Sequence, residues 1–406
     1  MGDIIFHIDV NSAFLSWTAV DMLSKNSTID IRTIPSIIGG DQSKRHGIVL
    51  AKSVPAKAYG IVTGEPIVNA QRKCPNLTII SPNHTLYKEK SEAMMNYLKT
   101  LTSDIEQVSI DECFLLLTPI AQNYASPKEA ATQIKDTIYE KFGFTVNVGI
   151  SDKKILAKMA SDFKKPNLVH TLFQCEIEEK MWPLPVSDLF GCGQSSVQTL
   201  KTLEINTIGD LAKTDPDILK AHLKSHGIGL WQAANGIDSS TVEPTPQAAK
   251  GIGNSHTLVK DATTKEEAYH VLLSLADSVA RRLRKAGFYA SMVSVEIKDS
   301  SFRTISHQCS LETPVNTSNA IYETACQLFN ELWDNSPIRL LGIRTSKLTD
   351  VLEPVQMNLF EYINTTKKEI AVEKQNKKQA DLENALDKIR EKYGKDAIVR
   401  GSSLKK

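Results

Sequence analysis

The sequence predicts an α+β protein built on a ferredoxin-like sheet, with a small inserted unit, a helical domain and a second α+β domain following it. Three observations carry that expectation. The strand IFHIDV, apolar on both faces, leads straight into a helical pattern. After an interruption the alternation resumes from Leu77 so that the whole reads β-α, insertion, β-α-β-β-α-β, an order that fits an antiparallel-containing sheet backed by helices on one face. And 406 residues exceed one core at about 100–150 residues per domain.

The elements follow in order. Ile4, Ile5, Phe6, Ile8 and Val10 make the first strand, and Asn11 or Ser12 caps a helix through about Lys25. The inserted unit holds the short β-like runs IDIRTIPSII and GIVLAKSV, closed by Gly60, Gly64 and Pro66. From Leu77 the spacing predicts strand LTII, a helix from Tyr87 to Thr102, strands around IEQVSI and CFLLL, a helix from Pro127 to Phe142 and strand TVNVGI. A lysine-rich helix spans Lys153 to Lys165. Residues 168–240 read as short helices with glycine turns. Pro244 and Pro246 mark a linker, beyond which KGIGNSHT, a helix from Lys265 to Ala286 and the strands YASMVSVEIK and FRTISHQCSL form a separate α+β unit. From Thr365 the chain is strongly charged, with too few apolar residues for a core.

Composition narrows the field without naming a function. An apolar fraction of 41% with mixed charge excludes disorder and collagen-like chains. A net charge of +1 identifies no partner, so nucleic acid has to be argued from local basic clusters. Cys74, Cys113, Cys175, Cys192, Cys309 and Cys326 include no C-x-x-C pair, which excludes a zinc knuckle or disulfide framework and favours the cytoplasm. The first strand begins without a basic leader, and no apolar run approaches membrane-spanning length, so no membrane association is expected.

The chemistry gathers on acids. Asp9 ends a buried strand, and Asp111 and Glu112 lie in VSIDECF between strands that the order places centrally in the same sheet. Like charges this close raise one another's pKa, and a divalent cation relieves them. Oxygen ligands alone imply magnesium or manganese. Two such ions form the clamp that activates an attacking hydroxyl and stabilises a leaving phosphate. Taken singly, each motif has a plainer reading, with Asp9 capping a helix and Asp111-Glu112 in a solvated turn.

Order and context decide between the readings. HIDVNSAFLS and VSIDECF, flanking an inserted β unit, resemble the palm motifs of the Y-family DNA polymerases, the enzymes of translesion synthesis. VGISDKKILAKMASDFKKPN resembles the family's following helix, FGCGQSSVQTLKTLEINTIGDLA its helix-hairpin-helix thumb, and KGIGNSHTL the opening of its little finger. The resemblance implies a right-hand polymerase: palm at 1–25 and 77–167, fingers at 26–76, thumb at 168–240, little finger at 245–350, and a tail at 351–406. Asp9, Asp111 and Glu112 become the metal-binding carboxylates, joined by the Val10 carbonyl, with two Mg2+ ions for which Mn2+ can substitute. Phe14 becomes the steric gate, and Lys165 in KKPN and Lys57 in VPAKAYG become cationic contacts to the incoming nucleotide. Many members carry Tyr and Arg where this chain has Val54 and Lys57, and Lys lacks the fork of Arg. Asn11 replaces an acid common in polymerase IV-like members, and with the AKA of PAKAYG it leans toward the polymerase V catalytic-subunit branch. The branch stays open, and with it an accessory subunit.

Four features remain. The GGDQ of Gly39 to Gln42 invites comparison with nucleotide cyclases, but it precedes a short strand of the inserted unit and is followed by the basic SKRHG. Glycine turns in GCG and TIGDLA offer backbone N–H groups to phosphates, or serve as plain helix caps. Arg281, Arg282, Arg284 and Lys285 cluster on one helix, a face that permits phosphate contact or is simply solvated. QMNLF resembles the pentapeptide by which such enzymes hold a sliding clamp, with Gln356 to hydrogen-bond and Leu359 and Phe360 to fill an apolar pocket. The reading is thus a template-directed DNA polymerase acting on primer–template DNA with deoxynucleoside triphosphates. The alternatives are a non-catalytic DNA- and clamp-binding scaffold and a palm-domain cyclase.

Overall fold

Strand β1 (Ile5–Val10) sets the frame, because its side chains alternate between two buried faces. The computed structural model describes residues 2–40, 47–245, 248–350, 382–394 and 397–398. These fall into two units that divide at Pro246.

In the first unit, Phe6, Ile8 and Val10 enter the main core while Ile5 joins Phe114 and Ala157 on the opposite face. Helix α1 (Ala13–Ser24) follows at once, but neither candidate cap acts as one: Ser12 adopts a left-handed φ of 47° and makes no side-chain cap bond. Asn11 is drawn elsewhere, donating to Asn147 Oδ1 at 3.2 Å and accepting from the Asn167 N–H at 2.9 Å. The tight strand-to-helix turn therefore rests on tertiary bonds rather than on a local cap.

The inserted unit is a small sheet, β2 (Ser36–Gly39) and β3 (Val49–Lys52), with helices α2 (Val54–Ala58) and α3 (Ile67–Lys73) and a third strand, β4 (Thr78–Ile80). Gly39 is fixed by packing, since a Cβ there would meet Ile67 Cδ1 at 2.5 Å. Strand β4 is the LTII run, and it pairs parallel with β2 rather than joining the main sheet. A three-residue apolar run carries no signal for its partner, and the edge of β2 is the one it reaches.

Helix α4 (His84–Lys99) begins three residues before Tyr87 because Asn83 caps it, accepting from the Leu86 N–H at 3.2 Å. Strands β5 (Ile105–Gln107) and β6 (Glu112–Leu116), helix α5 (Pro127–Phe142) and strand β7 (Val146–Ser151) complete the split β-α-β pattern. Helix α6 (Lys154–Ser161) and strand β8 (Val169–Thr171) follow, giving the sheet order β5-β6-β1-β7-β8. Only β7 and β8 run parallel in it. Helices α4 and α5 cover the face expected to carry all the helices. Helix α6 lies on the other face, so close that a Cβ on Gly149 would meet the Ala157 carbonyl at 2.0 Å. It is also shorter than the lysine pattern suggests.

The far side of α6 is buried by a helical subdomain of α7 (Ile177–Lys180), α8 (Gln194–Thr202), α9 (Ile208–Lys213) and α10 (Pro216–Ala234). Leu156, Met159 and Ala160 of α6 share its core with Met181, Leu200 and Leu230. Thr207 and Asp210 cap α9 reciprocally.

The second unit runs β9 (Gly251–Ala262), α11 (Lys265–Lys285), β10 (Tyr289–Asp299), β11 (Thr304–Val315), α12 (Ser318–Leu332) and β12 (Ile338–Thr349), with sheet order β11-β10-β12-β9, all antiparallel. Both helices pack on the face bearing Val293, Val295, Leu341 and Ile343. A helix at 382–393 docks on this unit through charge. Its buried Glu383 pairs with Arg284 and accepts from the Ser318 N–H, at the start of α12, at 3.0 Å. Asp387 pairs with the same Arg284 at 2.6 Å. Arg284 is thus neither solvated nor open to phosphate, the two readings the sequence allows for its basic cluster, and Arg282 is spent in part on the Gly253 carbonyl at 2.7 Å.

Candidate active site

The alternation that buries Ile8 and Val10 puts His7 and Asp9 on the α6 face, and the antiparallel register sets Glu112 directly across from Asp9. The turn before β6 is tied to the same spot. The Val10 N–H donates to the Asp111 carbonyl at 3.0 Å, and the Ser109 hydroxyl donates to the Asp111 carboxylate at 2.6 Å. Burial pushes the Asp111 carboxyl above its ordinary value, the Ser109 bond opposes this, and the charges of Asp9 and Glu112 add to it.

Lysines from the α6 segment meet these acids. Lys165 pairs with Asp9, and with Asp162 at 2.8 Å. Lys158 donates to Glu112 Oε2 at 2.7 Å and lies 3.5 Å from Asp162. Burial acts to lower both ammonium groups, yet the surrounding carboxylates hold both above their ordinary value. Glu112 moves the opposite way: the close approach of His7 Nε2 at 3.4 Å, helped by the hydrogen bond from Lys158, outweighs burial and holds it at about 2. Asn147, fully buried, staples the region together. It takes the Asn11 amide and the Leu168 N–H and donates to the Ser161 and Lys164 carbonyls at 3.2 and 3.0 Å.

Among the described residues no group of three His, Cys, Asp or Glu stands in metal-ligating geometry, because Asp9 and Glu112 are turned to lysines. The donors themselves fit a hard divalent cation. They are oxygens only, they carry net negative charge, and burial, with the charges of Asp9 and Glu112 added, pushes Asp111 toward protonation.

The other expected residues are placed as follows. Phe14, on the first turn of α1, stacks on Tyr87 with ring centroids 4.4 Å apart and 8° between planes, and His84 stands edge-on at 6.2 Å. Lys57 is exposed on α2, and no contact among the described residues joins it to the acids. Gln356, Leu359 and Phe360 lie outside the described residues, as do Asp41 and Gln42 of GGDQ.

Sequence reasoning missed His7, Lys158, Asp162 and Asn147. Two signals were available. His7 precedes Asp9 by one strand period, and Lys154, Lys158 and Asp162 recur every four residues on one helix face that ends at Lys165.

Each unit also carries a concavity. Beside Glu112, between the sheet and α10, a cavity of about 390 Å³ is lined by Phe114, Phe190, Ile237, Lys154, Lys158 and Glu106 among others. In the second unit the uncovered sheet face forms a cleft of about 950 Å³ lined by Gly253, Ser255, Ser294, Ser306, Gly342 and Arg344 among others. Here small residues recur at alternate positions, as in Gly251, Gly253 and Ser255, a pattern legible in the sequence but overlooked beside the arginines of α11.

The chain is similar to known proteins along most of its length. The model of the impB/mucB/samB family matches residues 8–162, and that of the impB/mucB/samB family C-terminal domain matches 249–359. A DNA polymerase IV of Clostridium acetobutylicum is 47% identical over 406 residues, covering 100% of this chain and 99% of that protein. DNA polymerase IV 1 of Bacillus subtilis is 35% identical over 405 residues, covering 99% of this chain and 94% of that protein. A solved structure described as a Y-family DNA polymerase chimera, Dbh-Dpo4(243-245)-Dbh, matches 85% of this chain and 99% of its own with a TM-score of 0.73 at 22% identity, a likeness of fold.

Proposed function

The chain belongs to the impB/mucB/samB family and is a Y-family, translesion DNA polymerase, and we propose that Asp9, Asp111, Glu112 and the Val10 carbonyl hold the divalent cations of its nucleotidyl transfer. The observation that supports this assignment is the register that sets Asp9 across from Glu112 with Asp111 bonded to the same strand end. Two Mg2+ ions, or Mn2+ in their place, would polarise the transferred phosphate and stabilise the attacking and leaving oxygens.

The protein's own groups do the rest. Lys165, held beside Asp9 by Asp162, is the ammonium placed for the triphosphate, and Lys57 is a second cation from the inserted unit. The Phe14 ring forms a wall for the sugar. The aromatic and lysine side chains lining the cavity beside Glu112 suit the end of a primer, whose ribose and phosphate present apolar and anionic surfaces together. On the second unit, the small side chains of the open sheet let main-chain N–H groups approach a phosphate backbone closely. Residues 356–360 anchor the enzyme to a sliding clamp, raising its effective concentration at the primer end.

Magnesium-dependent extension of a primer on a template, with and without a sliding clamp, tests this reading. The full chain should extend primers and be stimulated by the clamp. Deleting 356–360 should spare distributive synthesis and abolish stimulation, and equal stimulation of both chains would remove the pentapeptide from its role.

A further inference from the structure

Among the described residues, every hydrogen bond and ion pair of the Glu112 carboxylate falls on Oε2, from Lys158 Nζ at 2.7 Å and from His7 Nε2 at 3.4 Å. Oε1 is left for a ligand. His7 is only 1% exposed, its ring edge-on to Phe114 at 4.8 Å and its Nδ1 2.7 Å from Ser161 Oγ. An imidazole buried so fully is costly unless both nitrogens are used. Yet Nε2 has no ordinary hydrogen bond, and Glu112 is the acceptor that faces it.

The serine narrows the arrangement. Ser161 Oγ has one hydrogen and two takers, the Lys158 carbonyl at 2.8 Å and His7 Nδ1. Given to the carbonyl, it leaves a neutral ring turning a bare lone pair on a carboxylate. Given to the ring, it fixes the tautomer that carries its hydrogen on Nε2, a neutral donor aimed at Oε2. One flexible ammonium leaves a carboxylate free to swing, whereas two donors converging on one oxygen fix its plane.

We propose that His7 is a positioning residue of the polymerase reaction: together with Lys158 it pins Oε2 of Glu112, so that Oε1 stays presented to the divalent cation. The inference rests on the assignment of Glu112 to the metal site. It concerns orientation of a ligand from behind, which no acid in the site supplies for itself.

Two substitutions separate orientation from packing. His7→Phe keeps a buried ring against Phe114 but removes the donor, and His7→Gln restores a neutral donor. Both are compared with the unchanged chain in primer extension, in Mn2+ binding followed by electron paramagnetic resonance, and in thermal melting. His7→Phe should lose about 10–100-fold in kcat and bind Mn2+ about tenfold more weakly, with KM for the deoxynucleotide held within about threefold. His7→Gln should recover most of both losses, and all three chains should melt together. The proposal is overturned if His7→Phe extends and binds Mn2+ like the unchanged chain, if its losses only follow its melting temperature, or if His7→Gln is no better. Asp111→Ala serves as the reference. If it loses Mn2+ while His7→Phe keeps it, the acid site stands and His7 falls alone; if Asp111→Ala binds Mn2+ undiminished, the acid assignment falls and the proposal with it.

Discussion

Phe14 has two neighbourhoods, and one substitution distinguishes them. Its ring is stacked on Tyr87, so part of its contribution is packing, but it is half-buried and follows Asp9 by one turn of chain. If the ring is the wall proposed for the sugar, a deoxyribose would lie against it and a 2′-hydroxyl would overlap it, and selectivity by clash needs no added attraction. Phe14→Ala should therefore admit ribonucleotides far more readily while deoxynucleotide insertion falls modestly, with a stability loss below the roughly 3–5 kcal/mol of a fully buried phenylalanine. Matched insertion of the two sugars measures it, and an unchanged preference would mean that Phe14 only packs. The residues most legible in the sequence were those whose type conflicts with their surroundings, such as a carboxylate ending an apolar strand. His7 and Asn147 were not, because a single polar residue within a strand looks the same whether it packs or positions. Only the fold shows that both point at α6.

Elements were legible where their pattern is long. Helices α5 and α11 and strand β1 follow directly from periodicity, and α5 begins and ends on its Ser126 cap and Gly143. Strand β4 was not assignable, since three apolar residues fit either sheet. The placement of α6 was hidden because its charged face, Lys154 and Lys158, meets Glu106 and Glu112 instead of solvent, while its apolar side is buried by helices. The charged tail misled in another way, because 382–393 docks through ions instead of an apolar stripe. Glu383 neutralises the buried Arg284 and sits at the N-terminus of α12, where an anion is favoured. Removing Glu383 leaves the buried Arg284 with Asp387 as its remaining acid and takes the acceptor from the Ser318 N–H, so Glu383→Ala should destabilise the second unit by about 2 kcal/mol. Denaturant melts of the unchanged and altered chains give the difference. A shift below about 0.5 kcal/mol, typical of surface substitutions, would mean the helix does not dock as described.

At the scale of the molecule, the first unit brings sequence-distant acids to one end of its central strands, the inserted unit carries the exposed Lys57, and the second unit has an open sheet face rich in small residues. Motif order along the chain made this division readable, because each motif belongs to a different body. The closures between motifs, from Asn11 to Asn167 and from Lys165 to Asp9, were not readable, as each spans 156 positions and no local rule links them. If the acids are the seat of chemistry and binding rests on the phosphate contacts of other surfaces, the two can be separated. The direct measurement is primer extension beside primer–template affinity for the unchanged chain, Asp9→Ala and Asp111→Ala. Extension should fall to background in both variants while affinity stays near that of the unchanged chain, and near-normal extension by either variant would contradict the assignment.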